Sequence, residues 1–94
     1  MGGGARVDAG DYEVRLVPAA AREFRRLYGP VRERVRVAVD ALARDPRPIG
    51  CAKLAGRDDY RIRVGDYRIV YAADDADCLV VVARIGHRRE VYRR

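Results

Sequence analysis

The sequence predicts an α+β domain in which an N-terminal strand and a helical hairpin precede an antiparallel meander sheet, in the order β-α-α-β-β-β. Three observations carry that prediction. Apolar residues recur at helical spacing from Ala20 to Leu42, and they alternate at strand spacing through YRIRVGDYRIVY, Tyr60 to Tyr71. A run that is apolar on both faces, Leu79 to Ile85, then marks a central strand. With 94 residues the chain has room for one modest core. Residues 11–94 therefore read as one domain, without repeats.

Residues 1–10 are Gly-rich and aperiodic, and read as a flexible leader outside the fold. Tyr12 to Val17 sets Tyr12, Val14 and Leu16 against Glu13, Arg15 and Val17, which suits a strand. Pro18 fits the first turn of a helix, where a missing N–H costs nothing. Ala20, Phe24 and Leu27 form that helix's inner face, and Gly29-Pro30 separates it from the next. Val31, Val35, Ala38, Val39 and Leu42 make the second stripe, and Asp45-Pro46 stops it. The outer arginines are interleaved with acids, as in Asp40 and Arg44 at i,i+4, and read as a solvated face. Arg47 to Asp59 is a connection in which Cys51 to Leu54 becomes briefly regular. Strands are expected at Tyr60–Val64, Tyr67–Ala72 and Cys78–Ile85, with Asp74, Asp75 and Asp77 in the last turn and Gly86 ending the final strand.

Gly65-Asp66 is the hairpin loop, and Gly at its first position suits a type II′ turn. A two-residue loop pairs Val64 with Tyr67, Arg63 with Arg68, Ile62 with Ile69 and Arg61 with Val70. Tyr60, Ile62, Val64, Tyr67, Ile69 and Tyr71 then share the core face, leaving three arginines on the other. Like charges directly opposite each other oppose folding, and local rules broken in this way point to a functional site. The pattern is a cradle for an anion. Aligning Leu79, Val81, Ala83 and Ile85 with the core adds Val80, Val82 and Arg84 to the arginine face, where Arg84 either extends the cradle or pairs with Asp66. Val80 and Val82 on that face would suit a partner helix or strand.

Composition narrows the chemistry. The formal charge is +6 and the pI near 9.9, which favours an anionic partner. Nineteen of the twenty basic residues are Arg, so codon usage supplies part of this balance, and the hairpin cluster weighs more than the total. Ser, Thr, Asn, Gln and Trp are missing, which excludes Ser or Thr nucleophiles and a Ser-His-Asp triad. One histidine, His87, and two distant cysteines compose no zinc site, and no metal or other cofactor is expected. Cys78 opens an apolar strand and reads as core filling. Unpaired cysteines without an export signal fit a reducing cytoplasm, and Leu79 to Ala83 is far too short to cross a membrane. Catalysis, if any, falls to Arg, Tyr, His, Lys, Asp or Glu.

GDYRIVY, an acidic turn, an apolar strand and then IGHRREVYRR together resemble the RelE/ParE superfamily of bacterial toxins, and DPRPIGCAKLAGRDDYRIRVG resembles the same family's linker and first meander strand. The likeness spans about residues 12 to 92. It implies a compact fold related in shape to small microbial ribonucleases. The RelE branch, favoured here, cuts mRNA in the ribosomal A site, whereas the ParE branch poisons DNA gyrase without cutting RNA. By this resemblance Arg61 and Arg63 match basic residues on the strand before the hairpin turn. Arg68 matches an arginine of the following strand, Arg88 one just after the final Gly, and Tyr92 a tyrosine near the C-terminus. Some members carry lysines where this chain has Arg61 and Arg63, and some have a longer tail between the positions of Gly86 and Tyr92. ParE-type members share the IGHRREVY tail. The resemblance further implies a small RelB-like antitoxin as partner, with DNA reached only indirectly through it.

Cleavage by the RNA 2′-hydroxyl needs a base, an acid and positive charge on the transition state, without a metal. Arg68 and Arg88 are the candidates for clamping the non-bridging oxygens, since a guanidinium fork binds phosphate through two hydrogen bonds. Arg61 and Arg63, with Arg84, would hold flanking phosphates and lower the pKa of a neighbouring Tyr92 from about 10. Tyr92 would serve as base or stack on a splayed nucleobase. His87 is the second proton-transfer candidate, because histidine titrates near neutrality unaided. Glu90 reads as a partner that orients an arginine. A plain RNA-binding module fits least well, because the sheet's tyrosines fall on its core side.

Overall fold

In the computed structural model, which describes residues 11–54 and 59–87, the chain runs β1 (Glu13–Leu16), α1 (Pro18–Arg25), α2 (Gly29–Ala41), β2 (Ala52–Lys53), β3 (Asp59–Val64), β4 (Tyr67–Asp74) and β5 (Leu79–His87). The strands form one sheet ordered β1-β5-β4-β3-β2, with β1 parallel to β5 and every other pairing antiparallel. The expected regular stretch near Cys51 is β2, which pairs Ala52 with Arg61 and Lys53 with Tyr60. Arg88, Glu90 and Tyr92 lie outside the described residues.

Both helices begin as the prolines dictate. Val17 is extended and Pro18 opens α1, while Tyr28 precedes Gly29-Pro30 at the start of α2. The carbonyls at the end of α1 would lack partners at so short a bend. Arg32 of α2 supplies one, its guanidinium donating to the carbonyl oxygens of Arg25 and Leu27 at 3.3 and 3.2 Å. On the outer face of α2, Asp40 accepts Arg36 rather than the expected Arg44, at 2.7 Å.

The helices lie against one face of the sheet. Ala20, Val35, Val39 and Leu42 meet Ile62, Ile69, Tyr71, Val80, Val82 and Ile85 there, and the group forms the buried core. Gly65 has φ +61° while Asp66 keeps an ordinary negative φ, as a type II′ turn requires. The hairpin register is the expected one, with Val64 opposite Tyr67, Arg63 opposite Arg68, Ile62 opposite Ile69 and Arg61 opposite Val70.

β5 departs from its expected phase. Opposite β4 the register shifts between Val70 and Tyr71, because Val70 pairs with Arg84 but Tyr71 with Val82, leaving Ala83 as an extra residue. Such a bulge reverses the alternation of faces on either side of it. Ile85 therefore faces the core as expected, but so do Val80 and Val82, both fully buried. Their proposed place on the arginine face is overturned, and Leu79 and Val81 stand there instead. Cys78 is a second correction. It is exposed in the β4–β5 turn with φ +50°, so it fills no core.

Candidate functional site

On the face away from the helices, the register builds two rows of side chains across β3, β4 and β5. The first reads Arg63, Arg68, Gly86 and the second Arg61, Val70, Arg84. Directly opposed residues have Cβ atoms roughly 5 Å apart, so Arg63 and Arg68 project side by side. On its other flank Arg68 meets Gly86, which has no side chain to crowd a guanidinium. Arg63 is exposed and Arg61 half-buried, and neither side chain makes a hydrogen bond or ion pair among the described residues. Arg68 is half-buried between them and Gly86.

A further cation stands at the turn. Arg34 of α2 reaches across the end of the sheet, its Nη2 lying 3.3 Å from where a Cβ would stand on Gly65. A side chain at position 65 would displace it. Helical periodicity sets Arg34 on the outer face of α2 and does not distinguish it from the other arginines there, so sequence reasoning passed over it.

Arg84 belongs to the second row but its guanidinium is held at the sheet edge. β1 covers β5 only as far as Val82, where the chain turns away into α1. Glu23 of α1 takes over from there. One carboxylate oxygen accepts the backbone N–H of Ile85 at 2.8 Å and the other accepts Arg84 Nε at 3.0 Å. The alternative partner Asp66 is not used. Beside this clamp the Tyr67 and His87 rings meet edge to face, with centroids 5.6 Å apart. Together with Arg26, Leu27 and Gly86 they line a groove of about 410 Å³. Of the expected site residues, the structure thus sets Arg61, Arg63, Arg68 and Arg84 on one face, whereas His87, opposite Tyr67, projects to the helix side of the sheet.

The opposite end of the sheet is tied by a polar knot that no motif announced. Asp75 in the β4–β5 turn accepts the Tyr12 hydroxyl at 2.7 Å and Arg47 through both oxygens, at 3.1 and 3.2 Å. Arg47 Nε donates to the Tyr60 hydroxyl at 3.0 Å, and the guanidinium lies over that ring, 5.2 Å from its centroid. These donors hold the Asp75 carboxyl below the usual carboxylate range, Tyr12 first and then Arg47. Tyr60 stacks on Tyr71, whose buried hydroxyl donates to the Pro46 carbonyl at 2.6 Å. Burial is the main cause that pushes the Tyr71 phenol up. The knot fixes the α2–β3 connection and so the position of β3, which carries Arg61 and Arg63.

Residues 14–92 match the family described as the ParE toxin of the type II toxin–antitoxin system parDE. Toxin RelG of Mycobacterium tuberculosis is 34% identical over 87 residues, covering 88% of this chain and 98% of that protein. Solved structures agree. The toxin–antitoxin complex RelBE2 of M. tuberculosis is similar at 28% identity and a TM-score of 0.74, over 83% of this chain and 99% of the other. The intact Escherichia coli RelBE complex gives 30% and 0.72, over 81% and 95%. The archaeal RelE–RelB complex of Pyrococcus horikoshii gives 26% and 0.76, over 85% and 98%.

Proposed function

This chain belongs to the RelE/ParE superfamily of type II toxin–antitoxin toxins, and we propose that it is an mRNA endoribonuclease acting on the ribosome to stop translation. The observation that carries this reading is the Arg63–Arg68 pair, set side by side on an exposed face. Like charges set directly opposite each other oppose the hairpin. A phosphodiester between the two guanidiniums turns the repulsion into attraction.

In the proposed reaction the 2′-hydroxyl of one nucleotide loses its proton and attacks the adjacent phosphorus. The P–O5′ bond breaks, leaving a 2′,3′-cyclic phosphate and a 5′-hydroxyl that takes up a proton. Negative charge grows on the non-bridging oxygens as the new bond forms. Arg68 is assigned to those oxygens, with Arg88 as its counterpart by family resemblance. Donors fixed in advance on such charge are each worth about 100- to 1,000-fold in rate. Arg61 and Arg63 are assigned to the flanking phosphates. Tyr92 is the proposed base, and His87, the last residue of β5, the second proton carrier. In this reading the toxin is cytoplasmic and is made alongside a RelB-like antitoxin that covers the basic face.

The test is to induce the chain in bacteria and map mRNA 5′ ends against Arg68→Ala and Tyr92→Phe. New 5′ ends within translated codons are expected from the parent and not from either variant. Growth arrest with intact message on translating ribosomes would overturn the proposal. The family match to ParE favours a second reading, inhibition of DNA gyrase. Induction would then raise DNA-damage signalling with translation continuing, and no RNA chemistry would depend on Arg68.

A further inference from the structure

We propose that Arg34 is a further phosphate contact for bound RNA, placed at the tip of the β3–β4 hairpin where the arginine face ends. The inference rests on the RNA-cleaving reading and deepens it, by carrying the binding surface from the sheet onto α2.

The arginines of α2 differ in what holds them. Arg32 donates to the carbonyls that end α1, at 3.3 and 3.2 Å. Arg36 is paired with both Glu33 and Asp40. Arg34 is exposed, and its guanidinium has no acceptor among the described residues. It nonetheless lies over the hairpin turn. A Cβ on Gly65 would stand 3.3 Å from Arg34 Nη2, so the bare glycine leaves the room that the guanidinium occupies.

The turn joins Arg34 to the opposed pair. Arg63 and Arg68 are the pair on the arginine face nearest the turn, with only Val64 between Arg63 and Gly65. A strand rises about 3.4 Å per residue, which puts Gly65 roughly 7 Å along β3 from Arg63. Arg34 comes from the helix layer and so meets the end of the sheet, not its arginine face. A phosphodiester chain held by Arg63 and Arg68 leaves the sheet over this tip, where Arg34 offers it a cation. Asp66, the acid of the turn, is exposed and forms no ion pair with Arg34.

The chemistry of the tip favours a nucleic acid over a protein. Gly65 and Asp66 bring no apolar side chain for a partner to bury, and the cores of protein interfaces are built on such side chains. A phosphate needs charge and hydrogen-bond donors, which a guanidinium supplies.

Binding is read on the full-length protein with single-stranded RNA oligonucleotides methylated at every 2′-hydroxyl, so that no cleavage occurs. Arg34→Ala is expected to weaken binding by about fivefold to tenfold at about 50 mM salt, alike for oligo-A, oligo-C and oligo-U. The slope of log affinity against log salt should become shallower by about 0.7, the value for one phosphate contact to a single strand. Arg44→Ala is the matched control. Arg44 is also exposed, its side chain has no partner among the described residues, and it lies past the opposite end of α2. Its loss removes the same charge far from the hairpin and should leave the slope unchanged. An Arg34→Ala slope equal to the parent's overturns the proposal. So does an equal effect of Arg44→Ala, which would assign the loss to net charge. Weaker binding of poly-glutamate by Arg34→Ala, with RNA binding unchanged, overturns it too and would assign Arg34 to a protein partner. The readout needs no cleavage, so a parent that binds methylated RNA but leaves message intact would fail the ribonuclease reading and not this one.

Discussion

Glu23 and Arg84, sixty-one positions apart in the chain, are joined at 3.0 Å where β5 loses its neighbour β1. The same carboxylate accepts the Ile85 N–H, so one side chain completes the strand edge and neutralises a guanidinium. Glu23→Ala removes both contacts and leaves a half-buried N–H and a charge without partners. A cost of about 1–3 kcal/mol is expected in urea or thermal unfolding. Glu23→Gln, whose amide oxygen still accepts from Ile85, should lose less than half of that. Equal losses for the two variants would show that the edge N–H contributes little.

The opposed arginines make a contrary prediction. Arg63 is exposed and has no partner among the described residues, and it faces Arg68 across the hairpin. Arg63→Thr removes the like-charge pair and adds a good strand former. It should raise stability by roughly 0.2–1 kcal/mol while weakening RNA binding and steepness of its salt dependence. Denaturation together with RNA affinity at two salt concentrations checks both halves. A variant that loses stability would mean that Arg63 serves the fold and not a ligand.

Two groups give the stability a defined pH range. The Tyr71 phenol is raised by burial, so the folded state resists its ionisation. Its contribution is complete below the unfolded value of about 10 and is lost as pH rises above that. The Asp75 carboxyl is lowered by Tyr12 and Arg47, so its contribution is present above the unfolded value of about 3.9 and is lost as pH falls through the lower folded value. Melting temperature followed across both ranges should fall at each end. Tyr71→Phe should flatten the alkaline fall while costing about 1–2 kcal/mol at neutral pH, since the Pro46 carbonyl loses its donor. Asp75→Asn should flatten the acid one.

The hairpin was legible in the sequence because two local signals agreed there. Strict alternation set the faces, and Gly65-Asp66 set the loop length, which together leave one register. β5 had no such constraint. Leu79 to Ala83 is apolar at every position, so alternation could not fix its phase, and the bulge at Ala83 carries no residue-level mark. The knot around Arg47 and Asp75 escaped for a different reason. It joins residues twenty-eight positions apart through side chains that a surface reading treats as solvated. Arg26 and Arg34 escaped likewise, since only the packing of α1 and α2 on the sheet brings their guanidiniums to its end.

Cys78 is a site of local strain with a simple remedy. Its φ of +50° lies in the left-handed region, where a Cβ crowds the following carbonyl oxygen. The thiol is exposed and its Sγ reaches only the Asp75 carbonyl, at 3.7 Å, so little packing offsets the strain. The backbone at this position matters more than the side chain, because its carbonyl accepts the Glu13 N–H at 2.8 Å and so starts the β1–β5 pairing. Cys78→Gly keeps that bond and removes the clash, at the cost of a more flexible unfolded chain. A net gain of up to about 1 kcal/mol is expected, seen as a higher urea midpoint with unchanged slope. Cys78→Val, β-branched and less tolerant of positive φ, should lower the midpoint. A Gly variant less stable than the parent would place the energetic value of residue 78 in its thiol and not in its backbone.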